Sequence, residues 1–218
     1  MRLAGVLFGC AVFFLFLSPL WAAEGKAFTI GPADAPKMLY RQGPAPSRSY
    51  VEALYTRGGV NVVRDQVPDH IHHHGLMFAI AVNGVDFWAE TEGCGKEVST
   101  SFKAGKEGIE EQLDWRDGSG KALLEESRRI RIADLSDGPR ILDWESRLTP
   151  AAGAVSLHLT GSHYFGMGMR FPESMDKIGA FFNASGAPGE LIRGVERNVP
   201  ADWCAYAVKV ADKEVKPH

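Results

Sequence analysis

The chain has 218 residues, 45% hydrophobic, 10% aromatic and 23% charged, the proportions of a folding sequence and not of a disordered or fibrous one. Its 24 lysines and arginines against 27 acidic residues give a formal charge of −3, which leaves no basic excess for meeting nucleic-acid phosphates. Length allows one domain, or at most two small ones.

Residues 1–23 read as a secretory signal. Arg2 gives a positive start, Leu3 to Leu17 is apolar and uncharged, and Ser18 and Pro19 break the run before the small residues Ala22 and Ala23. The apolar stretch is about 15 residues, short of the roughly 20 that a spanning helix needs. An uncleaved anchor, or lipidation at Cys10, is the alternative. The reading predicts an exported protein, periplasmic or extracellular, with no membrane span once the signal is removed. Cys94 and Cys204 then remain, a pair that an oxidising compartment permits to bridge if they lie within reach.

Residues 24–48, rich in Pro, Gly and Ala, are expected to form an extended lead-in. Residues 49–218 are expected to be a single domain of short strands. Tyr50, Val51, Leu54 and Tyr55 begin it, and Val60, Val62 and Val63 resume an extended run after Gly58-Gly59. Leu76 to Val82 is continuously apolar, followed by Asn83-Gly84 and then Val85, Phe87 and Trp88. Asn-Gly between apolar runs predicts a hairpin, because both turn positions need positive φ. Lys121 to Arg129 would suit a helix by composition, but its extension to Ile132 without a cap favours a strand. Ile141 to Leu148 and the alternating Val155, Leu157 and Leu159 complete the set. Many short strands with Gly and Pro turns predict an all-β, antiparallel β-sandwich or barrel-like fold.

Histidine is the unusual residue: four of the seven fall between positions 70 and 74. In an extended chain His70, His72 and His74 would share a face, and His70 and His72 could chelate a divalent metal with a third ligand from Glu90, Glu92 or His163. The same imidazoles could instead move protons near neutrality. A second segment, Gly161 to Arg170, carries His163, Tyr164 and Arg170 among glycines. A third carries Asp86, Trp88 and Glu90, two candidate acid–base carboxylates and an indole able to stack on a sugar. No phosphate-binding loop, dinucleotide fingerprint or nucleophile elbow is present, so a divalent metal is the one cofactor the pattern suggests.

These segments, in this order, resemble a bacterial family labelled PmoA-like. Its hallmark is an Asp-His-Pro-His-His-Arg-Gly-Leu run followed by Val-Asn-Gly-x-Asp-Phe-Trp, and later a His-Tyr-Gly-Gly-x-Gly-x-Arg element. Here they read Asp69 to Leu76, Val82 to Trp88, and His163 to Arg170. Ile71 and His74 stand where the family has proline and arginine, so the resemblance carries over His70, His72 and His73 and sets His74 aside. Members continue beyond the Trp203 region, and the chain is accordingly expected to be C-terminally short. The methane-oxygenase label implies a multi-spanning membrane subunit, which the hydropathy does not support. What the resemblance implies instead is a β-sandwich similar to mutarotase-type sugar-binding folds, acting on a small-molecule or carbohydrate ligand.

The leading expectation is an exported carbohydrate-active protein. His72 or His73 is the acid or base, Asp69 orients it, and His163, Asp86 and Glu90 complete the cleft. Trp88, Tyr164 and Arg170 hold the substrate. The alternatives are a metal-dependent enzyme using His70 and His72, and a non-catalytic sugar-binding or structural module.

Overall fold

The computed structural model describes residues 25–43, 47–68, 70–154, 156–194 and 196–209. The predicted signal, Asp69, Val155 and the final nine residues therefore lie outside the described residues. In chain order the strands are β1 (Ala27–Ile30), β2 (Met38–Arg41), β3 (Tyr50–Leu54), β4 (Leu76–Ala79), β5 (Ala81–Val82) and β6 (Val85–Asp86). The long strands follow: β7 (Lys96–Gly105), β8 (Gly108–Arg116), β9 (Ala122–Asp134) and β10 (Arg140–Pro150). Then come β11 (Leu159–Thr160), β12 (Gly166–Met169), β13 (Ala180–Asn183), β14 (Glu190–Arg193), β15 (Glu196–Asn198) and β16 (Cys204–Ala207). One short 3-10 turn, Glu173–Met175, is the only helical element among the described residues.

The expected all-β class holds. A five-stranded sheet in the order β1-β2-β3-β4-β12 faces a four-stranded sheet in the order β10-β9-β8-β7, and every paired strand is antiparallel. Two apolar clusters fill the space between. Ile30, Met38, Tyr40, Val51 and Leu76 from one sheet meet Ile109, Ile130 and Ile132 from the other. Tyr50, Met77 and Ala79 meet Leu113, Trp115 and Leu124. Burying such side chains contributes roughly 1.5–3 kcal/mol each, and alternation along β8 and β9 sends those residues inward while Glu110, Gln112, Glu125 and Arg129 face outward.

Between the apolar clusters lies a charged layer. Arg128 on β9 reaches Glu97 on β7 at 3.0 Å and both carboxylate oxygens of Glu126 at 2.8 Å. It also donates to the Ser49 carbonyl at 2.8 Å. Tyr40 and Ser49 hydrogen-bond Glu111, and the Trp115 indole donates to Glu126 at 2.9 Å. All four ionic side chains are essentially out of water. Burial pushes the Glu97 carboxyl up to about 7 despite the attraction of Arg128.

Several expectations change here. The predicted lead-in is integral to the sandwich: it supplies β1 and β2, with Ile30, Met38 and Tyr40 in the core. Leu76 to Val82 is not one strand. Ile80 separates β4, in the large sheet, from β5, which pairs with β6 and β11 in a separate three-stranded sheet. The Val60–Val63 stretch forms no strand beyond a single bridge from Tyr55 to Asn61. The Asn-Gly hairpin is as expected, with φ of 51° at Asn83 and 82° at Gly84. Lys121 to Arg129 is strand from Ala122 onward, within β9. Both cysteines are free thiols, Cys94 partly covered and Cys204 exposed.

Candidate functional site

The four histidines occupy a turn, not an extended run. His70 N–H donates to the Val67 carbonyl and His73 N–H to the His70 carbonyl, each at 2.9 Å. Consecutive turns cancel the two-residue alternation, so the predicted common face of His70, His72 and His74 does not exist. His70, His72 and His73 instead pack on one another: the rings of His70 and His73 stack at 4.7 Å and His72 meets His73 edge-on at 4.5 Å. Burial and the nearby His70 hold the His72 imidazole below its ordinary value. Among the described residues no three His, Cys, Asp or Glu side chains converge as a metal site.

His74 takes the opposite course and is buried, 1% exposed. Its Nδ1 lies 2.7 Å from Asp65 and its Nε2 2.8 Å from Glu90, while the ring stacks on Tyr50 at 4.1 Å. Burial opposes its charge, but the two carboxylates outweigh burial and raise its pKa, and an acceptor at each ring nitrogen favours the imidazolium, which donates from both. Tyr50 completes the clamp by donating to Asp65 at 3.0 Å. Gly75 follows because a Cβ there would stand 2.4 Å from the Val51 carbonyl oxygen.

Arg48 ties the clamp to its surroundings. It donates to the carbonyls of His72 at 3.3 Å and Trp88 at 2.5 Å, and lies 3.7 Å from Glu90. Ser47 adds a hydrogen bond to Glu90 at 2.7 Å. Neither predicted acid–base carboxylate is therefore presented to a ligand. Glu90 lies beneath His74, with its pKa lowered: burial opposes the charge, but hydrogen bonds from His74 and Ser47 outweigh it. Asp86 accepts the backbone N–H groups of Trp88 and Ala89 at 2.6 and 3.1 Å, the work of a turn residue.

Other predicted residues do meet. A cleft of about 250 Å³ opens where the chain leading into β4 runs beside the end of β12, and His73, Trp88, His163, Tyr164 and Arg170 line it. The two segments are held in register by the Arg170 N–H donating to the Gly75 carbonyl at 2.8 Å. Trp88 is mostly buried, with one face stacked on Phe165 at 5.7 Å. It is more wall than platform. Gly168 permits the approach, since a Cβ there would come 2.9 Å from the indole. His70 and His72 support His73 from behind and do not line the cleft. Larger hollows of about 400 and 450 Å³ lie by the β7–β8 turn and beside Leu54 and Leu142. The first is lined by charged residues of the strand surfaces, Lys103, Glu110 and Arg129 among them, and neither gathers a histidine, the side chain that titrates nearest neutrality.

Two functional candidates were missing from the sequence reading. On the β14–β15 hairpin, Glu196 accepts from Tyr164, and Arg193 donates to both the Tyr164 hydroxyl and, at 3.0 Å, Glu196. Glu196 also lies 3.7 Å from His163 Nε2. Only the charged Arg-x-x-Glu run marked them in the sequence, and such runs are usually solvated. Tyr164 and Arg193 are exposed and Glu196 is only partly covered, so Glu196→Ala is expected to leave the melting temperature unchanged while amide exchange across residues 190–198 accelerates. Hydrogen-exchange mass spectrometry reads both states. Unchanged exchange would mean that the hairpin is held by other contacts.

An all-β sandwich with a small, histidine-lined cleft at the β4–β12 edge is the class that this geometry defines. The chain belongs to a family of unknown function, DUF6807, whose model matches residues 33–216. Comparisons with curated proteins and with solved structures return no match. Among the described residues no helix is long and apolar enough to cross a membrane.

Proposed function

We propose that the protein is exported and acts on a small carbohydrate in the β4–β12 cleft by histidine acid–base chemistry. The observation that carries the reading is the convergence of His73 and His163 on one concavity with Tyr164 and Arg170. The Glu196 carboxylate stands 3.7 Å from His163 Nε2, outside hydrogen-bond range but near enough for a small approach to bring it onto the imidazole. His73 is backed by His70 and His72. The similarity of the motifs to PmoA-like proteins adds the sugar-binding sandwich as an analogy of fold. A second reading, a non-catalytic sugar-binding module, is favoured by the structural engagement of Asp86 and Glu90.

Screening mono- and disaccharides for binding and turnover, with His73→Ala and His163→Ala, separates the two. For an enzyme, each variant keeps its fold and loses turnover by about 10²-fold or more. Binding without turnover that neither variant alters would establish the module.

A further inference from the structure

We infer that the ligand of this cleft is a single-ring acidic sugar, a uronate, whose carboxylate is received by Arg170. This deepens the carbohydrate reading and rests on it. Of the cationic side chains near the cleft, His74 is matched by Asp65 and Glu90, Arg193 by Glu196, and Arg64 by Glu173 at 3.5 Å. Arg170 lines the cleft, yet its guanidinium makes no hydrogen bond or ion pair with any described residue, and only its backbone is engaged. A half-buried guanidinium left unmatched beside imidazoles is a receptor for an anion.

The form of the anion follows from the donors. Guanidinium presents parallel N–H groups that fit a planar carboxylate in two-point contact. Tyr164, His73 and His163 around it are hydrogen-bonding groups suited to sugar hydroxyls, and the Trp88 wall suits the apolar side of a ring. Size sets the length. At about 250 Å³ the cleft lies below the roughly 300 Å³ at which drug-sized pockets begin, so it seats one pyranose ring within it.

Isothermal titration of the whole protein with glucuronate and galacturonate, with glucose and galactose as neutral partners and with inorganic phosphate, tests the assignment. The expected result is uronate binding at least about tenfold tighter than that of the matching hexose. That preference should disappear in Arg170→Met and survive in part in Arg170→Lys. Equal binding of uronate and hexose overturns the inference and leaves the carbohydrate reading standing. Phosphate binding as tightly as uronate also overturns it, in favour of an unselective oxyanion site. Binding of no sugar removes both. Should Arg170→Met fail to fold, the uronate-to-hexose ratio of the unaltered protein decides alone.

Discussion

Arg128→Met is expected to destabilise the chain by about 3–5 kcal/mol, because it strips the partner from carboxylates that cannot reach water. Methionine roughly conserves volume and stem, so the loss is electrostatic and not a cavity. Arg128 makes three short contacts to Glu97 and Glu126 and one to the Ser49 carbonyl, and its charge also rests 4.9 Å over the Trp144 ring. Glu97 already titrates near 7 with the arginine present. Without it, Glu97 must take up a proton or open the interface to solvent. Urea unfolding followed by tryptophan fluorescence gives the loss directly. The double variant Arg128→Met/Glu126→Gln should lose less than the sum of the singles, since the two share one network. A single-variant loss under about 1 kcal/mol would show that the layer is hydrated and not a buried lattice of ion pairs.

That layer also explains what was legible in the sequence and what was not. The hairpin at Asn83-Gly84 depends on two adjacent residues and positive φ, and local chemistry sufficed to place it. β9 was read as a strand because Ile130 and Ile132 alternate with arginines. β7 and β8 went unread although they are long, since Glu97 and Glu111 stand at inward positions where the pattern wants apolar residues. Their burial is intelligible only once Arg128 from a third strand is placed against them. Residues 24–48 are hard to read for a related reason: β1 and β2 are four residues each among prolines, and their pairing with each other and of β2 with β3 makes them sheet.

The site followed the same division. His73, His163, Tyr164 and Arg170 were nominated by residue type and do share a cleft. Their arrangement was not readable, because it needs β12 antiparallel to β4 across about ninety residues of chain, with Met169 opposite Leu76. The faces of the histidine cluster differ from expectation for a local reason. Alternation presumes extension, and the turn from Val67 to His73 rotates each ring away from its expected face. His74, set aside on the resemblance, is the buried one of the four, held by Asp65 and Glu90. The carboxylates assigned to chemistry, Asp86 and Glu90, became the supports of the loop that carries Trp88.

His74→Ala should therefore be the most damaging change at the site, costing about 3–5 kcal/mol, as expected when a buried ion pair loses one partner. It should also abolish ligand binding. Removing the imidazolium leaves Asp65 and Glu90 with Tyr50, Ser47 and, at 3.7 Å, Arg48 as their remaining partners. It also empties the space under Tyr50. The pH dependence distinguishes this from a simple packing defect. Hydrogen bonds to Asp65 and Glu90 overcome burial and raise the folded pKa of His74 above 6.5, so its contribution is complete below 6.5 and fades as pH rises through the folded value. Glu90 is lowered below 4.5, so its contribution is complete above 4.5 and fails as pH falls through its folded value. Glu97, raised to about 7 from 4.5, adds stability that is lost between those two values as pH rises. The clamp is thus strongest between about pH 4.5 and 6.5. Urea midpoints across pH 4 to 9 should show the deficit of His74→Ala against the unaltered chain greatest in that window and shrinking toward alkaline pH. A deficit constant with pH would mean that His74 is buried neutral, held by packing on Tyr50 and not by the two carboxylates.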